Sequence, residues 1–320
     1  MNGFQSFLAP EMASFVKYRT ASGKWGENYA VNLKLFDRYC AGRWPTASML
    51  EQPMVDGWCG KRPTESGSSC RKRIYCIRDF VMYLRKNGLS NVNPPQVPDN
   101  EKVRFIPHAF TRNELSEFFA ACDRLPSGGT WEEKVRAISI PVFFRLLYSS
   151  GLRTCEARLL ACKDVDLETG VLDVRHAKGH ADHRVVLHDT MLSLMRRYNL
   201  AVMEFAPGRR YFFPARKDNS HTRRWVEVNF KEIWEGCGFP HAVPYSIRHC
   251  YATTNINRWT GQDDEFNSRF VYLSKSMGHS VLESTRYYYS LTPEFSHAMR
   301  EQCEESFDAI VPEVQDEQQR

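Results

Sequence analysis

The sequence lacks the features that would assign it to a membrane, to a secretory route or to a metal site. It has no run of about 18 apolar residues, and its opening stretch MNGFQSFLAPEMASFVKYR shows no basic region followed by an apolar segment and a small-residue cleavage site. Its ten cysteines include no CxxC pair, which favours buried or free thiols in a reducing compartment. We therefore expect a cytoplasmic protein with no membrane partner and no metal site.

Acidic residues are scarce in the first hundred positions and concentrated at the end of the chain. Residues 1–100 carry fourteen Lys and Arg against eight Asp and Glu, whereas residues 301–320 carry seven acids against one arginine. The basic cluster CRKRIYCIR contains Arg71, Lys72 and Arg73. Such a cluster suits a polyanion, most simply nucleic acid, although an ordinary solvated helix face would have the same composition.

The length of 320 residues exceeds the usual size of one domain, about 100 to 200 residues, and predicts two domains. Residues 91–107 contain four prolines and little apolar periodicity, which predicts an extended linker. The proposed segments are a helical head (1–95), a linker (96–107), a second domain (108–300) and an acidic tail (301–320).

Apolar spacing predicts the fold class. Spacings of three and four residues predict about four helices before the linker and return repeatedly after it. Thr111 and Glu114 predict a capping box, and Gly151 predicts a helix end. The β-branched alternation in KDVDLETGVLDVRHAKGHADHRVVLH predicts a small three-stranded antiparallel sheet. We expect a mainly α protein: an all-helical N-terminal domain, then an α+β domain with a small antiparallel β-sheet.

Four local motifs follow one another in a fixed order: SSGLRTCEARLL, AKGHADHR, PYSIRHCYATT and MGHSVLESTRYYYS. The first and third contain Arg153 and Arg248 at otherwise small or apolar helix starts, where a charge is costly unless an anion meets it. Lys178 lies at a predicted hairpin tip, and His279 follows a glycine. Two arginines, a lysine and a histidine suit a phosphate, although each residue taken alone also has an ordinary structural explanation.

The three adjacent tyrosines raise the question of which one, if any, reacts. Successive helical side chains turn by about 100°, so Tyr287, Tyr288 and Tyr289 do not share one neighbour. A phenolate beside a cationic cage can attack phosphorus and store the bond energy in a phosphotyrosine, without a metal or other cofactor. We expect the two tyrosines that do not react to be half-buried core aromatics.

In order and spacing, these motifs resemble the tyrosine recombinase family, which includes the phage-type integrases and the chromosome-dimer resolvases. The resemblance covers the whole chain in architecture and about residues 107–290 in motifs. It implies a helical core-binding, DNA-binding domain followed by a catalytic domain. The roles that the resemblance implies are a nucleophile nine residues after His279 (Tyr288), two catalytic arginines (Arg153, Arg248), a general acid for the leaving 5′-hydroxyl (Lys178), a hydrogen-bonding histidine (His279) and two supporting residues (Glu156, His249).

One position departs from the family pattern. Tyr245 stands where the family usually has a histidine, three residues before the second arginine. Tyrosine donates hydrogen bonds, but with a pKa near 10 it is a poor general base at neutral pH. Because the other motifs are intact, we predict a working enzyme. The predicted DNA contacts are Arg71, Lys72, Arg73 and Arg184.

The resemblance implies a site-specific DNA recombinase for a mobile element or phage, working in the cytoplasm at the nucleoid. Two domains would clamp double-stranded DNA, and four subunits would form a homotetramer on it from a free monomer or weak oligomer. The tail at 301–320 would dock on a neighbouring subunit, or else be a frayed solvated end. An accessory directionality factor is a further expected partner. The alternatives are a catalytically impaired DNA-binding protein derived from a recombinase and a relaxing enzyme of the type IB topoisomerase kind.

Overall fold

The computed structural model describes residues 3–99, 107–175, 182–259, 263–279 and 281–288. The chain divides into two compact units, Met1–Phe105 and Ile106–Arg320. The segment boundaries proposed from the sequence at residues 95, 107 and 300 stay predictions. Lys178, Tyr289 and the acidic tail lie outside the described residues. No helix among the described residues is long and apolar enough to cross a bilayer.

The N-terminal unit is helical throughout its described regular structure. Its helices are α1 (Ala9–Ala21), α2 (Glu27–Arg43), α3 (Gln52–Cys59) and α4 (Gly67–Lys86). The Ser66 hydroxyl begins α4 by accepting a hydrogen bond from the Ser69 backbone N–H, which satisfies one of the free donors of the first turn. The apolar helix faces meet in a core centred on Phe15, Phe36 and Phe80. The all-helical architecture predicted here is confirmed.

The C-terminal unit is built around one long apolar helix. Its helices are α5 (Arg112–Asp123), α6 (Trp131–Ser150), α7 (Thr154–Leu159), α8 (Asp189–Met203), α9 (Arg223–Gly236), α10 (Tyr245–Trp259), α11 (Asp263–Ser276) and α12 (Glu283–Arg286). The α6 helix is buried over most of its surface and packs against α5, α8 and α10. The predicted capping box begins α5, since Thr111 and Glu114 each accept a hydrogen bond from the other's backbone N–H.

The β structure is smaller than predicted. β1 (Val171–Val174) and β2 (His183–Val186) pair as an antiparallel hairpin, and β3 (Pro214–Ala215) pairs with β4 (Asn219–Ser220). The expected third strand of the first sheet is a single bridge between Val165 and Leu172. Asp166 explains the difference: its carboxylate accepts the backbone N–H groups of Glu168 and Thr169 and turns the chain at once. The mainly α class with small antiparallel sheets is confirmed.

Gly151 ends α6 and brings two distant segments together. Its φ of 65° is left-handed, as the predicted helix end requires. A Cβ at this position would lie 2.2 Å from Cδ1 of Tyr251 on α10, so a larger residue would push the two helices apart. The chain then enters α7 through Arg153, the residue directly before that helix. The end of α6, the start of α7 and α10 therefore converge.

Candidate active site

Arg153 and Glu156 form a buried ion pair at the start of α7. A Glu156 carboxylate oxygen accepts a hydrogen bond from Nη1 of Arg153 at 2.6 Å, and the other accepts the Arg153 backbone N–H at 2.7 Å. The side chains are 13% and 1% exposed, respectively. Nη2 of Arg153 also donates to the Gly278 carbonyl at 3.4 Å. The pair therefore joins the start of α7 to the segment that follows α11.

Arg248 crosses the same region from α10 and is 1% exposed. Its Nη1 donates to the carbonyl of Gly151 at 2.6 Å, and its Nη2 donates to the carbonyl of Met277 at 2.7 Å. Its Nη1 also lies 3.9 Å from Oε2 of Glu156. One carboxylate thus faces two guanidinium groups. The cluster of Arg153, Glu156 and Arg248 keeps one net positive charge in a buried place, which favours an anionic ligand.

His279 contacts this cluster through one ring nitrogen and α12 through the other. Its Nε2 lies 3.0 Å from Nη2 of Arg248, and its Nδ1 lies 2.7 Å from the hydroxyl oxygen of Thr285. Thr285 is fully buried. The sequence reasoning missed Thr285, although it lies three residues before Tyr288 and so shares a side of the turn with it.

Tyr288 is the second residue after α12 and is 3% exposed. Its ring packs in a small core with Ala252 and Met277, and it lies nearly parallel to the His279 ring at 6.2 Å between ring centres. Burial raises the pKa of Tyr288, whereas the nearby Arg248 opposes this rise through its charge and a hydrogen bond. The hydroxyl is therefore protonated at neutral pH and lies within reach of the Arg248 guanidinium.

The neighbouring Tyr287 is placed differently from Tyr288. Tyr287 is 40% exposed, so the expectation of a half-buried core aromatic was wrong for this residue. A one-residue step turns the side chain by about 100°, so the Tyr287 ring meets the rings of Tyr288 and His249 only from the outside, at 5.7 and 6.0 Å between ring centres. Of the two tyrosines that the structure describes in this triplet, Tyr288 is the one beside Arg248 and His279.

Tyr245 and His249 lie one helical turn apart on α10. Their ring centres are 5.0 Å apart, and the His249 ring also lies 5.3 Å from that of Tyr288. Burial, aided by the charge of Arg248, lowers the pKa of His249 to about 4. His249 is therefore uncharged at neutral pH. Tyr245 is 42% exposed and borders the site from the solvent side.

Comparison with known proteins identifies the family of the chain. The model of the phage integrase family matches residues 108–294, which is more than half of the chain. The chain belongs to the phage integrase family. The predicted enzyme class, a tyrosine-type site-specific DNA recombinase, is thereby confirmed.

Relatives of this integrase-family protein cover from about seven tenths of the chain to nearly all of it. The tyrosine recombinase XerC of Yersinia pestis is 23% identical over 310 residues, which is 93% of this chain and 94% of XerC. The tyrosine recombinase of Thermosipho africanus is 27% identical over 238 residues, which is 72% of this chain and 73% of that protein. The solved structure of the Tn1549 transposon integrase with a circular intermediate DNA shares the fold, with a TM-score of 0.61 at 16% identity, covering 93% of this chain and 99% of that one.

The residues predicted to contact DNA differ in exposure in this integrase-family protein. Lys72 is exposed, and Arg71 is half-buried, with its guanidinium directed to the Pro98 carbonyl. The prediction that Arg73 contacts DNA needs correction. Arg73 is 2% exposed and binds Glu65 and the Trp58 carbonyl inside the helical unit. Because its charge is already neutralised within the fold, we withdraw Arg73 from the DNA contacts.

Arg184 lies at the other side of the candidate site, on β2. Its side chain is 76% exposed and pairs with Asp173 at 2.7 Å. It lines a cavity of about 690 Å³ together with His279, His183 and Lys275. Lys275 was not identified from the sequence, because a lysine in the last turn of a helix is ordinary. This cavity lies beside the cluster, since His279 and Gly278 line it.

Proposed function

We propose that this recombinase cuts and rejoins duplex DNA through a 3′-phosphotyrosine formed on Tyr288. One observation carries the proposal: the Tyr288 hydroxyl lies within reach of Arg248, in a cluster that keeps a net positive charge. A phosphodiester would bring the missing negative charge. It would be bound by the same groups that lie beside the attacking oxygen.

Arg153 and Arg248 would stabilise the transition state by binding the non-bridging phosphate oxygens, because guanidinium groups match the geometry of phosphate. Glu156 would hold both arginines in place and limit their mutual repulsion. Since Arg248 is hydrogen-bonded to two backbone carbonyls, its position is set before the substrate arrives. Such preorganisation avoids reorientation during the reaction.

Cleavage would form the bond from the Tyr288 oxygen to phosphorus and break the bond from phosphorus to the 5′-oxygen. Lys178 would give a proton to that 5′-oxygen, as the family resemblance implies. Tyr245 and His279 would handle the remaining protons and hydrogen bonds, with His249 supporting Arg248. The phosphotyrosine keeps the energy of the broken bond, so a 5′-hydroxyl from a second duplex can reverse the step without ATP.

The partners in this proposal are duplex DNA and further copies of the chain. Arg71, Lys72 and Arg184 would contact phosphates. Exchange between two duplexes needs four active sites, which means a homotetramer on DNA formed from a monomer or weak oligomer. The natural role would be integration or excision of a mobile element or phage, with an accessory directionality factor, in the cytoplasm at the nucleoid. If the tail couples subunits, removing the residues from Ser306 onward lowers recombination but not DNA binding; unchanged recombination would contradict the coupling.

A suicide DNA substrate tests the chemistry directly. It is nicked near the scissile phosphate and drawn from the sequence that flanks the gene. Wild type, Tyr288→Phe and the matched control Tyr287→Phe are incubated with it, together with Tyr289→Phe, and denaturing gels are examined for the covalent adduct. We expect an adduct with every protein except Tyr288→Phe, because phenylalanine keeps the ring packing but has no nucleophilic oxygen.

The other outcomes separate the alternatives. Tight DNA binding by wild type without any adduct would favour a DNA-binding protein that has lost activity through Tyr245. An adduct that persists in Tyr288→Phe but is lost in another variant would assign the nucleophile elsewhere. Relaxation of supercoiled plasmids that lack a cognate site would indicate topoisomerase-like chemistry instead.

A further inference from the structure

The two contacts of His279 determine which of its ring nitrogens carries the proton. The guanidinium nitrogens of an arginine only donate hydrogen bonds, so Nε2 of His279, at 3.0 Å from Nη2 of Arg248, must accept. A neutral imidazole then carries its proton on Nδ1. That N–H donates to the Thr285 hydroxyl oxygen at 2.7 Å. His279 thus presents a lone pair, and not an N–H group, to the cluster.

Thr285 is placed to keep the proton of His279 on Nδ1. It is fully buried in α12, and its backbone N–H donates to the Leu282 carbonyl at 2.9 Å, so its side chain has a defined place. A hydroxyl oxygen at this position can accept a hydrogen bond from Nδ1–H of His279 at a normal length. Burial makes loss of the contact costly, because the imidazole N–H would lose an acceptor that water cannot readily replace.

We propose that Thr285 is a positioning residue that holds His279 as the proton acceptor for Tyr288. The inference rests on the proposed function, since the acceptor acts only when Tyr288 attacks a phosphodiester. Tyr245 occupies the position of the usual family histidine and is a poor base, so the proton of the Tyr288 hydroxyl needs another acceptor. The His279 ring lies beside the Tyr288 ring, and the lone pair on Nε2 of His279 faces the Arg248 guanidinium.

The step balances in atoms and charge. As the Tyr288 oxygen bonds to phosphorus, the bond from phosphorus to the 5′-oxygen breaks and that oxygen takes a proton from Lys178. The hydrogen bond from Arg248 to Nε2 of His279 passes to the phosphate, so that Nε2 can take the Tyr288 proton. The resulting imidazolium donates Nδ1–H to Thr285 and Nε2–H to a non-bridging phosphate oxygen. Without DNA, an imidazolium would add to the positive charge of Arg153 and Arg248. A bound phosphodiester, and the extra negative charge of the transition state, make the same proton transfer favourable. Religation returns the proton to Tyr288.

The test compares Thr285→Val, which keeps the shape but loses the hydroxyl, with Thr285→Ser, which keeps the hydroxyl. Thr253→Val is the matched control, because the Thr253 hydroxyl bonds only to carbonyls of its own helix in the described contacts. We measure the rate of covalent adduct formation on the suicide substrate. We expect Thr285→Val to be slower by about 10-fold or more, a part of the range for general base catalysis, with Thr285→Ser and Thr253→Val within about 3-fold of wild type.

Nitrogen-15 NMR of histidine-labelled full-length protein supplies a second readout that needs no activity. We expect the His279 signals of wild type to show the proton on Nδ1, and those of Thr285→Val to lose that preference. A proton on Nε2 in wild type, an unchanged tautomer in Thr285→Val, or a Thr285→Val rate within about 3-fold of wild type would each overturn the inference. Failure of wild type to form any adduct would instead contradict the proposed function, and the NMR result would still decide the role of Thr285.

Discussion

Replacing Glu156 with glutamine should destabilise the C-terminal unit more than any surface charge change of the same kind. The substitution keeps the size of the side chain but removes the Glu156 carboxylate, which faces both Arg153 and Arg248. Its Oε2 lies 3.9 Å from Nη1 of Arg248, and both side chains are 1% exposed. At an effective dielectric constant of about 20, an opposite-charge pair at about 4 Å is worth about 4 kcal/mol. Breaking a buried pair from one side costs about 3–5 kcal/mol, and we expect a loss in that range.

The assay is urea unfolding, with hydrogen exchange of peptides from α6 and α10 to assign the transition to this unit. Glu232→Gln is the matched control, because Glu232 pairs with Arg136 at 2.9 Å but is 60% exposed, so its loss should cost less than about 1 kcal/mol. Added inorganic phosphate should restore more stability to Glu156→Gln than to wild type, since the cluster then carries two uncompensated charges. Equal unfolding free energies for the two variants would refute the electrostatic account of this site.

Two further predictions concern buried ionisable side chains elsewhere in the chain. Arg73→Met should lower the unfolding free energy of the N-terminal unit by about 3–5 kcal/mol, because Glu65 loses its buried partner, whereas exposed Lys72→Met should change it by less than about 0.5 kcal/mol. Urea unfolding checks both, and an Arg73→Met protein as stable as wild type would contradict the structural role. Burial lowers the pKa of His221 to about 4, so this residue contributes stability that is complete above about pH 6.5 and is lost as the pH falls towards 4. Between pH 7.5 and pH 5 the loss is about 2 kcal/mol, and His221→Gln should remove that part of the pH dependence; an identical slope in wild type and variant would refute it.

Local patterns predicted most of what depends on neighbouring residues. The capping box of Thr111 and Glu114 and the helix end at Gly151 involve residues that are close in sequence, and both are present. The sheet was overestimated because β-branched residues around Val165 match a strand pattern. Asp166 turns the chain there, and a side-chain hydrogen bond of that kind competes with strand pairing.

In the candidate site, too, features that are local in sequence were predicted and features that depend on packing were not. The resemblance to the family in motif order and in the nine-residue spacing predicts Tyr288 as the nucleophile from the sequence alone, because those features are linear. Arg73 was misassigned, since a basic cluster on a helix has both a solvated and a buried side, and composition does not distinguish them. Thr285 was missed, because its contact with His279 depends on how the turn after α11 folds back.

The sequence by itself determined the fold class, the family and the order of the site residues. The fold class follows from periodicity and turn chemistry, and the family and the order of the site residues follow from the resemblance of the four motifs to those of the tyrosine recombinases. Tertiary structure alone decided that one carboxylate faces two arginines and that the carbonyl of Gly151, 97 positions earlier, holds Arg248 in place. It also decided that Tyr288 is buried near this pair of arginines. The physical reason is that the charge balance and proton positions of a site depend on distances between groups, and packing sets those distances across segments far apart in the chain.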